Sequence, residues 1–297
     1  MRTSGFYDLN IPLSLIEGKS VSLSKVCERL YDFGYRTIAF NRSVHLTADM
    51  FFKTKKKRKL METDVPENFP KEVDPVPPPE RINLPEHLQG KLQVYNRVTF
   101  HVAEISILDK LNKNGNLRDY HFLAICPMNA ECFEAISSLP MDLDIIEIST
   151  ESRSLSNIIS NKLRNKITEK NLYVEVKYSP AVNDIDYLKN TLNFSHSLHR
   201  FQFSKNIIFT SGAESLSHIR GPYDVINLGV LFGFYEGPAK AAISTTCRSL
   251  FLKAEERWYG KVPVVFKATS LVERKNDHEN ELEPKKKRPK DETMEVY

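Results

Sequence analysis

Cysteine is scarce in this 297-residue chain: Cys27, Cys126, Cys132 and Cys247 lie far apart or inside apolar runs. That excludes a disulfide framework. Only Cys126 and Cys132 are near one another, and their spacing fits no zinc motif, so all four read as reduced thiols of an intracellular protein. No apolar run approaches the roughly 20 residues needed to span a bilayer, and no apolar leader-type stretch opens the chain, which predicts neither secretion by that route nor membrane insertion. There is also no P-loop, no glycine-rich dinucleotide fingerprint and no Gly-x-Ser-x-Gly nucleophile turn. Ser211-Gly212-Ala213-Glu214 superficially suggests the last of these but lacks its frame. Nucleotide hydrolysis, hydride transfer and serine-nucleophile chemistry are thereby left without their usual residues.

What is present can build a large core, with 41% apolar residues and length enough for one α/β barrel or two smaller domains. Phe6–Ile11 and Thr37–Phe40 read as strands flanking a helix from Ser22 to Phe33, whose Leu23, Val26, Leu30 and Phe33 share one face before Gly34 stops it. Strand–helix–strand with short links is a parallel βαβ unit. Further strands are expected at 92–102, 121–126, 144–148, 172–177 and 206–210, and a helix at 184–199 with Ile185, Leu188 and Leu192 inward. About seven strands with helices between them predict a (β/α) TIM-like barrel within one domain over 1–268. From about Thr54 to Gly90 the composition turns basic and then Pro-rich, which predicts a flexible insertion, and the charged segment 269–297 reads as a disordered tail.

Net charge is only +4, but it is concentrated. Lys53, Lys55, Lys56, Lys57, Arg58 and Lys59 form one run, able to neutralise several phosphates or to act as a nuclear-import address. Lys285, Lys286, Lys287, Arg288 and Lys290 form a second, read first as an import signal. No aromatic ladder accompanies either run, so any RNA binding should follow backbone and shape more than base identity.

One stretch organises the rest. The apolar run 206–210 feeds the small-residue turn at Ser211–Glu214. Gly221-Pro222 then opens a helix with Val225, Leu228, Leu231 and Phe232 on one face. Gly237-Pro238 opens a second, with Ala242, Ile243, Cys247 and Leu250 inward. The strings Ser-Gly-Ala-Glu, Ile219-Arg-Gly-Pro-Tyr-Asp-Val-Ile-Asn-Leu-Gly229 and Ala239-Lys-Ala-Ala-Ile-Ser-Thr-Thr-Cys-Arg248 resemble the thirty-kilodalton protein subunit family of ribonuclease P. Phe6–Pro12, Phe33–Asn41 and Val176–Ala181 fit it in the same order. The resemblance implies a barrel similar to the polymerase-and-histidinol-phosphatase superfamily. It implies an accessory, non-catalytic subunit of nuclear ribonuclease P, shared with ribonuclease MRP, acting in precursor-tRNA 5′-leader removal and rRNA processing in the nucleus and nucleolus. The catalytic RNA would be its partner and would hold the magnesium, with no cofactor in this chain. Precursor tRNA would be met indirectly, and a small α/β subunit would bind the chain directly.

Against that background the candidate residues divide. Asp8-x-Asn10 ends the first strand, where barrels of that superfamily usually place histidine metal ligands; here it reads as a polar layer or turn bond, which weakens the alternative of a metal-dependent phosphoesterase. His196-x-x-His199 reads as two surface histidines. Arg97 and Lys177 sit within apolar strands, either facing solvent or aimed at the barrel mouth toward RNA. Arg220 could serve a phosphate at the turn after 206–210, or pair with Glu214 or Asp224. Arg248 is open to either an RNA contact or a salt bridge, and Leu231–Phe234 to either an interface or the core.

Overall fold

The computed structural model describes residues 5–17, 21–46, 76–104, 106, 115–136, 141–150, 161–200 and 206–259. Seven strands carry the architecture: β1 Phe6–Pro12, β2 Tyr35–Leu46, β3 Gln93–Val102, β4 Phe122–Pro127, β5 Ile145–Glu147, β6 Tyr173–Lys177 and β7 Ile207–Thr210. Every neighbouring pair is parallel and the spatial order is the chain order. The result is the expected α/β barrel, nearly closed. Strand β2 runs well beyond the short segment its apolar run suggested, pairing with β3 from Thr37 to Leu46.

Between β7 and β1 a staple takes the place of a ladder. The Gly212 N–H donates to the Asn10 carbonyl at 2.9 Å, while lower on β1 the Tyr7 N–H donates instead to the carbonyl of Ile243, which caps the end of the helix Glu236–Ala242, at 2.9 Å. The Ser211 N–H donates to Asp8 Oδ1 at 3.1 Å, while Ser211 Oγ donates to the Asn10 carbonyl at 3.1 Å. A bulge in β1 between Asp8 and Ile11 bends the strand toward this seam. Asp8 and Ser211, distant in sequence, thus close the barrel.

Alternation sets the two faces of the wall. Ile38 and Phe40 face outward onto Val26 and Leu30 of the helix Leu23–Phe33. That helix begins where the Ser22 hydroxyl accepts from the Lys25 N–H at 3.4 Å, and ends at Gly34, whose φ of 101° favours glycine. The inward positions of the lower half are apolar: Tyr7, Leu9, Ala39, Phe122, Ala124, Ile145, Tyr173 and Ile208. They meet Cys247, Leu250, Phe251 and Ala254 of a helix at Thr245–Tyr259, which plugs the barrel floor. Two cations fix this plug. Lys253 Nζ donates to the carbonyls of Leu143 at 2.7 Å and Asn171 at 2.8 Å. Arg257 Nη2 donates to the His121 carbonyl at 2.7 Å and to Asp144 Oδ2 at 2.9 Å.

Several expectations need correction. The single helix expected from Gly237-Pro238 onward, with Ala242, Ile243, Cys247 and Leu250 inward, is two helices, Glu236–Ala242 and Thr245–Tyr259, broken around Ile243 and Ser244, although all four of those residues are buried. Leu231 and Ile185 are exposed, at 60% and 67%; Leu231 is the last residue of the helix Pro222–Leu231 and Ile185 the first of the helix Ile185–Arg200. Leu188 and Leu192 do pack against the core. Residues 76–90, placed by composition in the flexible insertion, lie on the barrel. Val76 is fully buried, its carbonyl accepts from Asn116 at 2.7 Å, and Tyr120 Oη donates to the Pro77 carbonyl at 2.9 Å. The basic runs at 53–59 and 285–290, and the tail at 269–297, lie outside the described residues.

Candidate functional site

The upper half of the interior is polar, and one side chain holds it together. Arg97, on β3, points inward and is fully buried. Its Nη1 donates to Glu175 Oε1 at 2.6 Å and to the Leu9 carbonyl at 3.0 Å. Nη2 donates to Glu175 Oε2 at 2.5 Å and Glu147 Oε2 at 3.3 Å, and Nε donates to Thr99 Oγ1 at 3.2 Å. All five guanidinium donors are used. Glu147 and Glu175 face each other across β5 and β6 in register, so the sheet itself delivers two carboxylates to one cation.

Around this pair the remaining polar groups form one chain. Thr99 Oγ1 donates to Asn41 Oδ1 at 2.8 Å, and Asn41 Nδ2 donates to Asn10 Oδ1 at 2.9 Å. Asn10 Nδ2 and Thr210 Oγ1 both donate to Glu175 Oε1, at 3.1 and 2.6 Å. Lys177 joins from above, its Nζ 2.6 Å from Glu147 Oε1. Burial alone would raise the Glu147 carboxyl, but Lys177 and Arg97 outweigh it and hold the group below its ordinary value. Burial likewise opposes the charge on Arg97, and Glu175 more than restores it. Two cations therefore face two carboxylates, and the layer is neutral. Gly212, at φ +54°, leaves room for the Lys177 stem; a Cβ there would sit 2.7 Å from Lys177 Cδ.

Over this layer, at the carboxyl ends of the strands, opens a cavity of about 410 Å³ whose lining includes Asn10, Asn41, His45, His101, Lys177 and Tyr187. This is the end at which barrels of this kind carry ligands. The His45 and His101 rings stack at 4.3 Å, 18° from parallel. A divalent metal does not fit here. Both carboxylates already bind cations at hydrogen-bond distance, and among the described residues no three His, Cys, Asp or Glu side chains converge on one point. Asp8 is buried and turned to the seam. Burial, partly offset by Ser211, raises its carboxyl to about 6.

The candidate residues are thus sorted by geometry. Arg97 and Lys177 meet through Glu147, but the RNA contact expected of Arg97 gives way to an internal role, since none of its side chain is exposed. Lys177 keeps a quarter of its side chain accessible at the mouth. Arg220 is half-buried, fixed through its backbone by the hydroxyls of Tyr35 and Tyr178, and forms no ion pair with Glu214 or Asp224. Arg248 is exposed on the plug helix. His196 and His199 are exposed, as expected. Phe232 and Phe234 pack on Phe209 in the core, leaving only Leu231 of that stretch with a large apolar surface outside. The sequence reading missed Glu147 and Glu175. Glu175 and Lys177 two apart in an otherwise apolar strand were the available signal, because they share one face.

Fold and site together define a parallel α/β barrel whose mouth is built on internal ion pairs. Residues 5–259 match the family described as RNase P subunit p30. The chain is 33% identical over 174 residues to the mouse ribonuclease P protein subunit p30, covering 57% of this chain and 64% of that one. It is 28% identical over 272 residues to the protein GAMETOPHYTE DEFECTIVE 1 of Arabidopsis thaliana, covering 84% of this chain and 44% of that one. The match thus spans less than two thirds of either relative's length. A chain in an archaeal ribonuclease P structure with mature tRNA superposes with a TM-score of 0.55 at 14% identity, over 91% of this chain and all of that one. The chain belongs to the RNase P subunit p30 family.

Proposed function

We propose that this chain works as a protein subunit of a nuclear ribonuclease P ribonucleoprotein, shared with ribonuclease MRP, in which RNA removes the 5′ leader of precursor tRNA. The observation that carries this reading is the family match over the whole barrel together with a polar layer beneath the mouth in which Arg97, Lys177, Glu147 and Glu175 are bound to one another. Such a barrel offers surface and shape to an RNA instead of a free acid, base or nucleophile. The magnesium belongs to the RNA. Lys53, Lys55–Lys57, Arg58 and Lys59, with Arg220 and Arg248, supply cations for its phosphates, and Lys177 contributes at the mouth. A small α/β protein subunit binds the barrel directly, precursor tRNA is met through the complex, and rRNA processing follows from the shared particle. The basic run at Lys285–Lys290 directs import, placing the protein in the nucleus and nucleolus.

The test is a pull-down of the tagged full chain from nuclear extract at moderate salt, with sequencing of bound RNA and a precursor-tRNA cleavage assay before and after nuclease treatment. One discrete structured RNA, with cleavage lost on its destruction, is the expected result. Cleavage that survives removal of the RNA overturns the proposal.

A further inference from the structure

The polar layer of the barrel has the form of a cation site. Two carboxylates in register on adjacent strands, Glu147 and Glu175, converge on one point, with Asn10 and Thr210 completing the shell around Glu175. The point is filled by a guanidinium that arrives from the opposite part of the wall, 78 residues away in sequence from Glu175, and bonds it at 2.6 and 2.5 Å. Two observations set this apart from an ordinary salt bridge. The cation is wholly enclosed, and every one of its donors has an acceptor, including the Leu9 carbonyl at the bulged strand. The second carboxylate is shared with Lys177 at 2.6 Å, so the layer is neutral without any ion from solution.

We propose that Arg97 is a tethered occupant of this site, a cation supplied by the chain itself, which closes the barrel against divalent metal ions. Removing the guanidinium leaves two buried carboxylates facing one Lys177, and desolvated unpaired carboxylates either take up protons or recruit a cation. The emptied layer therefore becomes a site for a small guanidinium or a divalent metal. One unit of positive charge leaves with Arg97, and methylguanidinium restores that unit; a divalent ion brings one unit more, so its entry balances only with release of one proton, from Lys177.

The experiment uses the full chain and reads thermal unfolding and calorimetric binding with manganese, zinc or methylguanidinium as probes. The unaltered protein is expected to bind none of them and to show no change in Tm. Arg97→Ala should unfold at a lower temperature and recover most of the loss with methylguanidinium or manganese. Binding should be measurable by calorimetry in this variant and not in the unaltered chain, and should raise its Tm with probe concentration, because binding is coupled to folding. Arg97→His offers a smaller, neutral ring and should bind zinc with one-to-one stoichiometry, and adding Glu175→Gln to either variant should abolish the response. One-to-one metal binding by the unaltered chain that is lost on Glu175→Gln overturns the proposal. So do folded Arg97 variants that take up no cation, or variants that none of the three probes can bring to a folded state. These readouts concern the isolated chain, so their failure is separate from failure of the ribonucleoprotein reading, which rests on co-purified RNA.

Discussion

The two halves of the barrel interior occupy the same wall and are built by opposite means. Below, Phe122, Ile145, Tyr173 and Ile208 meet the plug helix through Leu250 and Phe251, and stability there is a sum of buried areas. Above, Arg97, Glu147, Glu175 and Lys177 meet by directed bonds, and no member can leave without stranding another. A packed layer loses a part when a part is removed; a charged layer loses its balance. The comparison explains why the plug sits at the lower end: an apolar helix can seal apolar positions, whereas the mouth, with its charges already matched, stays open to a cavity.

Glu175→Ala is expected to do the most damage, costing about 3–5 kcal/mol, since it leaves the enclosed Arg97 guanidinium with only Glu147, at 3.3 Å and already shared with Lys177. Urea unfolding of the variant measures this. The double variant Arg97→Met with Glu175→Leu makes the upper layer resemble the lower and should recover more than half of the loss; equal damage in single and double variants would refute the charge-balance account. In the lower layer, Leu250→Ala should cost about 2–4 kcal/mol by leaving a cavity, and should add to Glu175→Ala because the two layers share no bond. Gly212→Ala follows at about 1–2 kcal/mol. Its Cβ would strike the Lys177 stem, and the backbone there prefers glycine. Spectroscopy of Lys177 labelled at the side chain should show the Glu147 contact weakened in that variant.

The packed half was far more legible in the sequence than the charged half. All seven strands stand out as β-branched and aromatic runs, and Cys247 and Leu250 fall inward by helical spacing as expected. Arg97 was visible as a charge in an apolar strand, but its partners lie 50 and 78 residues away, so nothing local says which face it takes or what it meets. Periodicity also overreaches at helix ends: Ile185, the first residue of its helix, and Leu231, the last of its own, keep the spacing of a buried face and are nonetheless exposed. Composition likewise hid Val76, a single apolar residue in a Pro-rich stretch that nonetheless fills a gap in the outer core.

The finest contrast between the halves is in their response to acid. Asp8, at the seam beside the charged layer, titrates at about 6 in the folded protein against 3.8 ordinarily, because burial disfavours its charge. The folded state therefore holds a proton between these values that the unfolded chain has lost. The stability from this group is full below about 3.8 and is lost as pH rises through 6. His121, beside the plug, moves the other way, lowered from 6.5 to about 4 by burial and then by Arg257. There the unfolded chain takes the proton first, so stability is full above 6.5 and is lost as pH falls toward 4. Each slope is about 1.4 kcal/mol per pH unit at most, and across pH 4–6 they oppose one another. Asp8→Asn should remove the first and leave stability falling more steeply on acidification over that window. His121→Gln should remove the second and flatten the fall. Denaturant midpoints taken at half-unit steps from pH 4 to 7 check both, and matching pH profiles in the two variants would mean that neither buried group sets the response.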